Sequence, residues 1–339
     1  MHIILALFIT FLLTYLLVPL NIIYSKKIGM IDYPHQRGMH EVATPLAGGL
    51  ALGIPLILMQ IYGYFIFGPQ MLYLAAGSFL MLLLGFLDDK TKFTARFKLF
   101  FQIAIVTLLY FWGFQIELIT NPFGDSINLG IFSYPVTLIW FLVVINAFNL
   151  IDGLDGLAAG IAVISAGTIF IIGYLTHNEI ILFLALILIG ANLAFLRYNF
   201  SPAKIFMGDT GSLLVGFNLA ALSIAGEGEF KGITSMTLLV PIMILGFPLL
   251  DIVLAVLRRL KKQENIFQAD KEHIHHKLHN LGISQKYVAL ICYFITFLFS
   301  LIGLGFALSS KKYLMVVLLF LLVLLLILTY NFFKKDKQE

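Results

Sequence analysis

Long apolar stretches and short polar segments alternate along the whole chain. The apolar stretches form eleven windows, each about as long as a membrane-spanning helix. A helix of about 20 apolar residues crosses a hydrocarbon layer roughly 30 Å thick. The pattern therefore predicts an all-α integral membrane protein, a bundle of about eleven transmembrane helices. The windows are 2–21, 45–66, 71–87, 97–114, 134–150, 156–175, 179–197, 211–226, 234–257, 287–308 and 312–333.

Little sequence remains for a soluble domain, so we expect residues 1–339 to form a single polytopic membrane domain. The composition agrees, since 60% of the residues are hydrophobic and only 12% are charged. We do not expect the first window to be a cleaved signal peptide, because its apolar stretch is long and no small-residue cleavage site follows. The single cysteine, Cys292, excludes an internal disulfide.

The basic residues predict the orientation of the bundle. If the N-terminus lies outside, the cytoplasmic loops and the C-terminal tail hold 19 of the 22 lysines and arginines. By the positive-inside rule we expect an outside N-terminus and a cytoplasmic C-terminus. The net charge of +4 then follows from membrane orientation, and no nucleic-acid partner is expected. The cytoplasmic loops 22–44, 88–96, 198–210 and 258–286 would form one face.

Acidic and amide side chains gather at helix ends on that face. Asp88 and Asp89 end one apolar window, and Asp209 precedes another within Gly208-Asp209-Thr210-Gly211-Ser212. A carboxylate beside hydrocarbon is costly unless it is paired, metal-bound or hydrated. The structural alternatives are a solvated helix end for the aspartate pair and a helix N-cap for Asp209. Because a helix N-terminus attracts phosphate but Asp209 repels it, a bridging cation would reconcile the two.

A third polar segment is Asn146-Ala-Phe-Asn149-Leu-Ile-Asp152-Gly-Leu-Asp155-Gly. Its polar residues recur every three positions, and the glycines favour a helix end or break. Such a break at membrane depth is tolerated where it lines a polar cavity or is buried in protein. A capping role for Asp155 is the structural alternative, but it does not account for four polar residues in ten. The three acidic segments together predict one polar site built from several helices.

Histidines crowd the largest cytoplasmic loop, as His273-Ile274-His275-His276 with His279 beyond. The loop lacks cysteine and a four-ligand spacing, so a zinc site is not favoured. Imidazoles that act as hydrogen-bond donors or proton carriers beside phosphate suit the surroundings better, and a solvated histidine run is the alternative. Asp251 lies seven residues before Arg258, which allows a structural ion pair.

Taken in order, these segments resemble the polyprenyl-phosphate N-acetylhexosamine-1-phosphate transferases, which load the first sugar onto a lipid carrier. The resemblance covers most of the chain and adds Thr44–Gly49 and the segment from Ala269 to His276. His-Ile-His-His is similar to the branch that initiates O-antigen, enterobacterial common antigen or wall teichoic acid. The sister branch, which makes the first peptidoglycan lipid, usually has three consecutive histidines. The length suggests a bacterial protein of the cytoplasmic membrane, with its active site on the cytoplasmic face.

The resemblance implies transfer of N-acetylglucosamine-1-phosphate from UDP-N-acetylglucosamine to undecaprenyl phosphate, with Mg²⁺ (or Mn²⁺) as cofactor. Asp88 or Asp89 would be the base that deprotonates the lipid phosphate, or a nucleophile in a two-step variant. Asp209 and Asn149 would hold the metal. The residues implied in nucleotide or substrate binding are Lys92, Asp152, Asp155, His273, His275, His276 and Arg37.

Three alternatives stay open. The donor could be UDP-N-acetylmuramoyl-pentapeptide or another UDP-N-acetylhexosamine, and the protein could form a homodimer. A secondary transporter is the alternative of another class. Transporters tend to place such groups near the bilayer midplane in two related halves. Here they lie at one face, and we find no paired halves, which disfavours transport.

The predicted orientation can be tested by cysteine accessibility. Single cysteines placed in loops 115–133 and 258–286, with Cys292 replaced, should react with an impermeant reagent only in the first loop when cells are intact. The reason is that the second loop carries the cytoplasmic lysines and arginines. Labelling of the second loop from outside would contradict the orientation and with it the shared cytoplasmic site.

Overall fold

The computed structural model describes residues 2–33, 42–119, 127–225, 238–263 and 273–308. Across these ranges the chain is almost entirely helical, which confirms the all-α prediction. The helices are α1 (His2–Ile28), α2 (Gly48–Phe67), α3 (Pro69–Thr91), α4 (Ala95–Phe111), α5 (Ser133–Ile151), α6 (Leu157–Leu175), α7 (Glu179–Asn199), α8 (Gly208–Ile224), α9 (Leu239–Ile244), α10 (Gly246–Lys262), α11 (Ile274–Asn280) and α12 (Gln285–Leu308).

Seven spans among the described helices are long and apolar enough to cross a membrane, judged by length and composition. They include α1, α2, α3, α6, α7 and most of α12, and the seventh joins α5 to the 3₁₀ turn Gly130–Phe132 before it. This supports a multi-pass membrane protein. The number eleven stays a prediction, and its last window, 312–333, lies outside the described residues.

One predicted span is wrong in detail. The window 234–257 was expected to be continuous, but α9 and α10 are separate helices that meet at Leu245. Pro248 explains the break, because it has no N–H to donate to the carbonyl of Ile244 and its ring crowds that carbonyl. The second helix, α10, ends in the basic run Arg258-Arg259-Leu260-Lys261-Lys262.

Helix α8 lies at the centre of the bundle. Almost all of its side chains are buried, and it packs against α2, α3, α5, α6 and α7. Two glycines permit the closest approaches. A Cβ atom on Gly49 would overlap the backbone of Thr210 and Gly211, and one on Gly85 would overlap that of Asp209 and Thr210. The N-terminal turn of α8 is thus fixed between α2 and α3.

Two short antiparallel strand pairs complete the fold: β1 (Ile31–Asp32) with β2 (Thr44–Pro45), and β3 (Leu118–Ile119) with β4 (Ile127–Asn128). The first pair leads directly into α2. After it, the Gly48 and Gly49 N–H groups donate to the carbonyls of Phe206 and Met207. The Phe206 N–H donates back to the Pro45 carbonyl at 2.8 Å. The Thr44–Gly49 segment therefore aligns the chain that enters α8.

A buried polar cluster ties α8 to its neighbours deeper in the bundle. The Gln60 amide on α2 donates to Asn218 Oδ1 on α8 at 2.6 Å, and Asn218 exchanges hydrogen bonds with Ser78 on α3. All three side chains are buried. Interhelical hydrogen bonds of this kind fix helix positions where lipid offers no hydrogen-bonding alternative.

Candidate active site

The N-terminus of α8 is capped by a carboxylate from another helix. Asp89 Oδ1 accepts the Asp209 N–H at 2.9 Å, and Asp89 Oδ2 accepts the Thr210 N–H at 2.9 Å and the Thr210 hydroxyl at 2.5 Å. Gly208 makes this approach possible with a φ of 66° and no side chain in the way. The first N–H groups of a helix have no partner within it, and a carboxylate there satisfies them and opposes the helix dipole. The alternative in which Asp209 itself caps α8 is wrong, since Asp209 lies inside the first turn.

Lys98 on α4 joins two of the aspartates. Its ammonium group contacts Asp88 Oδ2 at 2.5 Å and also pairs with Asp209 Oδ2. The Asp88 carboxylate is buried and accepts the Phe93 N–H through its other oxygen at 2.7 Å. Asp88, Asp89 and Asp209, from α3 and α8, therefore meet at one point under a single basic side chain.

Asn149 lies in the same cluster. Its amide donates to Asp209 Oδ1 at 2.7 Å and to the Ser212 hydroxyl at 2.9 Å. One turn earlier, Asn146 donates to Gln102 Oε1 at 2.9 Å, on the α4 face that also carries Lys98. The last turns of α5 thus supply amide groups to the aspartate cluster, as the three-residue spacing predicted.

The chain between α5 and α6 carries Asp152 and Asp155. It is a short non-helical loop, residues 152–156, and this confirms the predicted break. Asp152 is only partly exposed, and burial together with the carboxylates of Asp209, Asp89 and Asp155 raises its pKa well above the usual range. The loop therefore adds negative charge to a site that already holds three carboxylates, which favours the binding of a cation.

Asp155 has a different setting from Asp152. Its Oδ2 accepts the Ala203 N–H at 2.9 Å, which links this loop to the chain ahead of α8. It does not cap α6, whose N-cap residue is Gly156, so the capping alternative for Asp155 is wrong.

The histidine segment docks onto α10. Asp251 is buried and accepts from His273 Nδ1 at 2.9 Å and from the Ile274 N–H at 2.9 Å, which fixes the start of α11. The expected partner of Asp251 was Arg258, and the structure gives His273 that position. A carboxylate ahead of a helix is stabilised by its free N–H groups, and this explains the arrangement.

His275 is fully buried, and neither ring nitrogen has a hydrogen-bond partner among the described residues. Burial, with a smaller effect of His276, lowers its pKa from the usual value to about 3, so the ring is neutral. Its Nε2 lies 3.0 Å from the point where a Cβ atom on Gly153 would sit. The His276 ring stands 4.5 Å from that of His275, between centroids. The segment thus closes over the loop 152–156.

Two of the expected substrate residues lie elsewhere. Lys92 is exposed at the end of α3, where its N–H donates to the Asp88 carbonyl at 2.7 Å. Arg37 lies outside the described residues. Sequence reasoning missed Lys98, which looked like one of several lysines that compensate an acidic helix end. Its position nine residues after Asp89, near the start of a helix, was the available signal.

The donor chemistry of the cluster fits a hard divalent cation. Asp88 and Asp209 each direct one oxygen at the same cationic nitrogen, and Asn149 adds an amide beside them. Among the described residues no three carboxylate, imidazole or thiolate groups converge as a ready metal cage. Mg²⁺ is commonly held by one or two carboxylates together with substrate phosphates, so a full protein cage is not required.

Comparison with known proteins gives a family. The profile of Glycosyl transferase family 4 matches residues 71–227. A probable undecaprenyl-phosphate N-acetylglucosaminyl 1-phosphate transferase from Bacillus subtilis (strain 168) is 38% identical over 87% of this chain and 82% of its own. A decaprenyl-phosphate N-acetylglucosaminephosphotransferase from Mycobacterium tuberculosis (strain CDC 1551 / Oshkosh) is 32% identical over 79% and 74%. An undecaprenyl-phosphate alpha-N-acetylglucosaminyl 1-phosphate transferase from Escherichia coli (strain K12) is 30% identical over 77% and 72%.

The capping role of Asp89 predicts a stability loss. Replacing Asp89 with Ala removes all three hydrogen bonds at the start of α8 and should cost about 1 to 2 kcal/mol. That corresponds to a fall in melting temperature of about 2 to 4 °C or more. Asp89→Asn keeps one oxygen for Thr210 and should lose less. Thermal unfolding of the purified protein in detergent would measure both, with Glu179→Ala on the far end of α7 as control. Equal melting temperatures for wild type, Ala and Asn at position 89 would contradict the cap.

Proposed function

The chain belongs to glycosyl transferase family 4, and on that premise we propose that it transfers N-acetylglucosamine-1-phosphate from UDP-N-acetylglucosamine to undecaprenyl phosphate. The products are undecaprenyl-diphospho-N-acetylglucosamine and UMP. The observation that carries the proposal is the aspartate cluster at the ends of α3, α5 and α8 in a chain 38% identical to a relative named for this activity.

The chemistry requires such a site. An oxygen of the lipid phosphate attacks the β-phosphorus of the UDP-sugar, a P–O bond forms, and the bond to the α-phosphate breaks as UMP leaves. Both reactants are anions, so catalysis consists mainly of positioning and charge neutralisation. One reactant is dissolved in water and the other in lipid, which places the reaction at a membrane surface. Carboxylates and a lysine at the ends of apolar helices meet that condition.

We assign the base to Asp88. Asp89 uses both of its oxygens to cap α8, whereas Asp88 is held by one backbone N–H and by the side chain of Lys98. A lysine side chain is long and flexible, so it can turn from a carboxylate to an incoming phosphate. Asp88 would then accept the proton of the lipid phosphate, and Lys98 would neutralise the reacting phosphates. Asp89 would keep Asp209 in place. This narrows the earlier choice between Asp88 and Asp89.

Asp209 and Asn149 are the residues that would hold Mg²⁺, with Asp88 close enough to join them. When bound, the ion would supply charge neutralisation for the diphosphate. Asp152 would face the nucleotide side of the same cavity. His276, beside the buried His275, would reach the sugar-phosphate, and Lys92 and Arg37 would contribute positive charge at the entrance.

A cytoplasmic site in a bacterial plasma membrane is part of the proposal. The 19-to-3 distribution of basic residues supports it, and so does the location of the aspartates at the helix ends on the same side as the basic end of α10. A secondary transporter remains the weaker candidate, because the charged groups gather at one end of the helices. At mid-bundle the described polar cluster of Gln60, Ser78 and Asn218 is uncharged.

We expect strict dependence on Mg²⁺ or Mn²⁺. Removal of the divalent ion should abolish turnover, and Asp209→Asn should lower activity by about 10²-fold or more and raise the Mg²⁺ concentration needed for half-maximal rate. Asp88→Asn should lower kcat by a similar factor without changing that concentration. Glu179→Gln, a carboxylate-to-amide change at the other end of the bundle, is the control. Metal-independent turnover, or full activity in both variants, would contradict this site.

The donor is expected to be UDP-N-acetylglucosamine and not UDP-N-acetylmuramoyl-pentapeptide. Ile274 stands where the sister branch has a polar histidine, and in this fold it packs partly buried against the core. A site that lacks a hydrogen-bonding group loses the substrate that depends on it. Purified protein offered both donors and UDP-N-acetylgalactosamine together with undecaprenyl phosphate should yield the N-acetylglucosamine lipid by mass spectrometry. A dominant muramoyl-pentapeptide lipid would show the branch to be wrong while leaving the family intact.

A further inference from the structure

The loop 152–156 carries Asp152 into the site, and its conformation is held from a distant part of the chain. Gly156 closes the loop with a φ of 76°, a left-handed conformation. Its carbonyl accepts the Gly160 N–H at 2.9 Å, in the first turn of α6, and also the hydroxyl of Tyr293 at 2.6 Å. Tyr293 lies on α12, 137 residues along the chain.

The other side of Gly156 is bound as well. Its N–H donates to Asn199 Oδ1 at 3.1 Å, and the Asn199 amide donates to the Ile205 carbonyl at 2.9 Å. Asn199 is buried and thereby links the loop to the segment that enters α8 and carries Asp209. Asp155 makes a parallel link to the same segment through the Ala203 N–H. The positions of Asp152 and Asp209 are therefore coupled through Gly156.

The fit of Tyr293 against α6 is close and specific. A Cβ atom on Gly160 would overlap the phenol ring, so the ring lies directly on the backbone of α6. The same face of the loop meets His275, whose Nε2 is 3.0 Å from a Cβ position on Gly153. Two elements near the end of the described chain, α11 and α12, thus cover the loop from one side. Both lie beyond residues 71–227, which match the family profile.

We propose that Tyr293 is a positioning residue for the transfer reaction: its hydroxyl fixes the carbonyl of Gly156 and so sets where Asp152 stands in the nucleotide side of the site. Tyr293 does not touch the reacting atoms, and it acts through the loop. The inference rests on the proposed function for its kinetic consequence, but the hydrogen bond and its effect on the loop do not depend on it.

The test is a pair of conservative changes with matched readouts. Tyr293→Phe removes only the hydroxyl, and Gly160→Ala pushes the ring away while leaving the hydroxyl in place. Each should raise KM for UDP-N-acetylglucosamine about fivefold to tenfold, the effect of one lost hydrogen bond, with a smaller change in kcat. Because both changes break the same contact, the double variant should be no worse than the single ones. Tyr287→Phe, which alters an exposed tyrosine on the same helix, is the control and should behave as wild type.

Hydrogen–deuterium exchange supplies a readout that a general loss of stability would not reproduce. In Tyr293→Phe the amides of residues 152–160 should exchange about fivefold to tenfold faster, while α3 and α8 keep wild-type exchange. Unchanged exchange in this loop, or faster exchange spread over all helices, would overturn the proposal. A wild-type protein that does not turn over UDP-N-acetylglucosamine would instead refute the proposed function and leave the exchange result to decide the role of Tyr293.

Discussion

The hydrogen bonds from the first turn of α8 to the carboxylate of Asp89 are the contacts on which the rest of the site depends. They bring the end of α3 against the start of α8, and this places Asp88, Asp89 and Asp209 within reach of Lys98. Carboxylates so close together repel one another, and burial makes that repulsion stronger. The helix N-terminus offsets it for Asp89, and the ammonium group of Lys98 offsets it for the other two. The site is thus built for positive charge, supplied by lysine and, in our proposal, by a divalent ion.

The surrounding helices serve that arrangement. Gly49 and Gly85 let α2 and α3 approach the backbone of α8, and the Gln60–Asn218–Ser78 cluster holds the same three helices together deeper in the bundle. On the other side, α5 delivers Asn149, and the loop 152–156 is fastened by Asn199 and Tyr293. Each contact joins residues far apart in the sequence, so a rigid site is formed at the edge of an apolar bundle.

Much of this was readable from the sequence. Apolar windows located the helices because a membrane demands long apolar segments, and window 45–66 falls on α2 (Gly48–Phe67) almost residue for residue. Carboxylates beside such windows indicated the site because their burial is costly, and Asp88, Asp89, Asn149 and Asp209 do converge. The break at Leu245, the capping role of Asp89 and the parts of Lys98, Asn199 and Tyr293 were not foreseen. They depend on which helix faces which, and helix propensity and hydropathy carry no such information.

The central claim is that this cluster transfers a phosphorylated sugar, and the fate of the β-phosphate tests it most directly. UDP-N-acetylglucosamine labelled with ³²P at the β-position should be incubated with the purified protein, Mg²⁺ and undecaprenyl phosphate, and the products separated into lipid and water-soluble fractions. The account predicts that the label enters the lipid, that unlabelled UMP is released in equal amount, and that Asp88→Asn abolishes both. Label recovered in water-soluble UDP, with the sugar alone on the lipid, would contradict it.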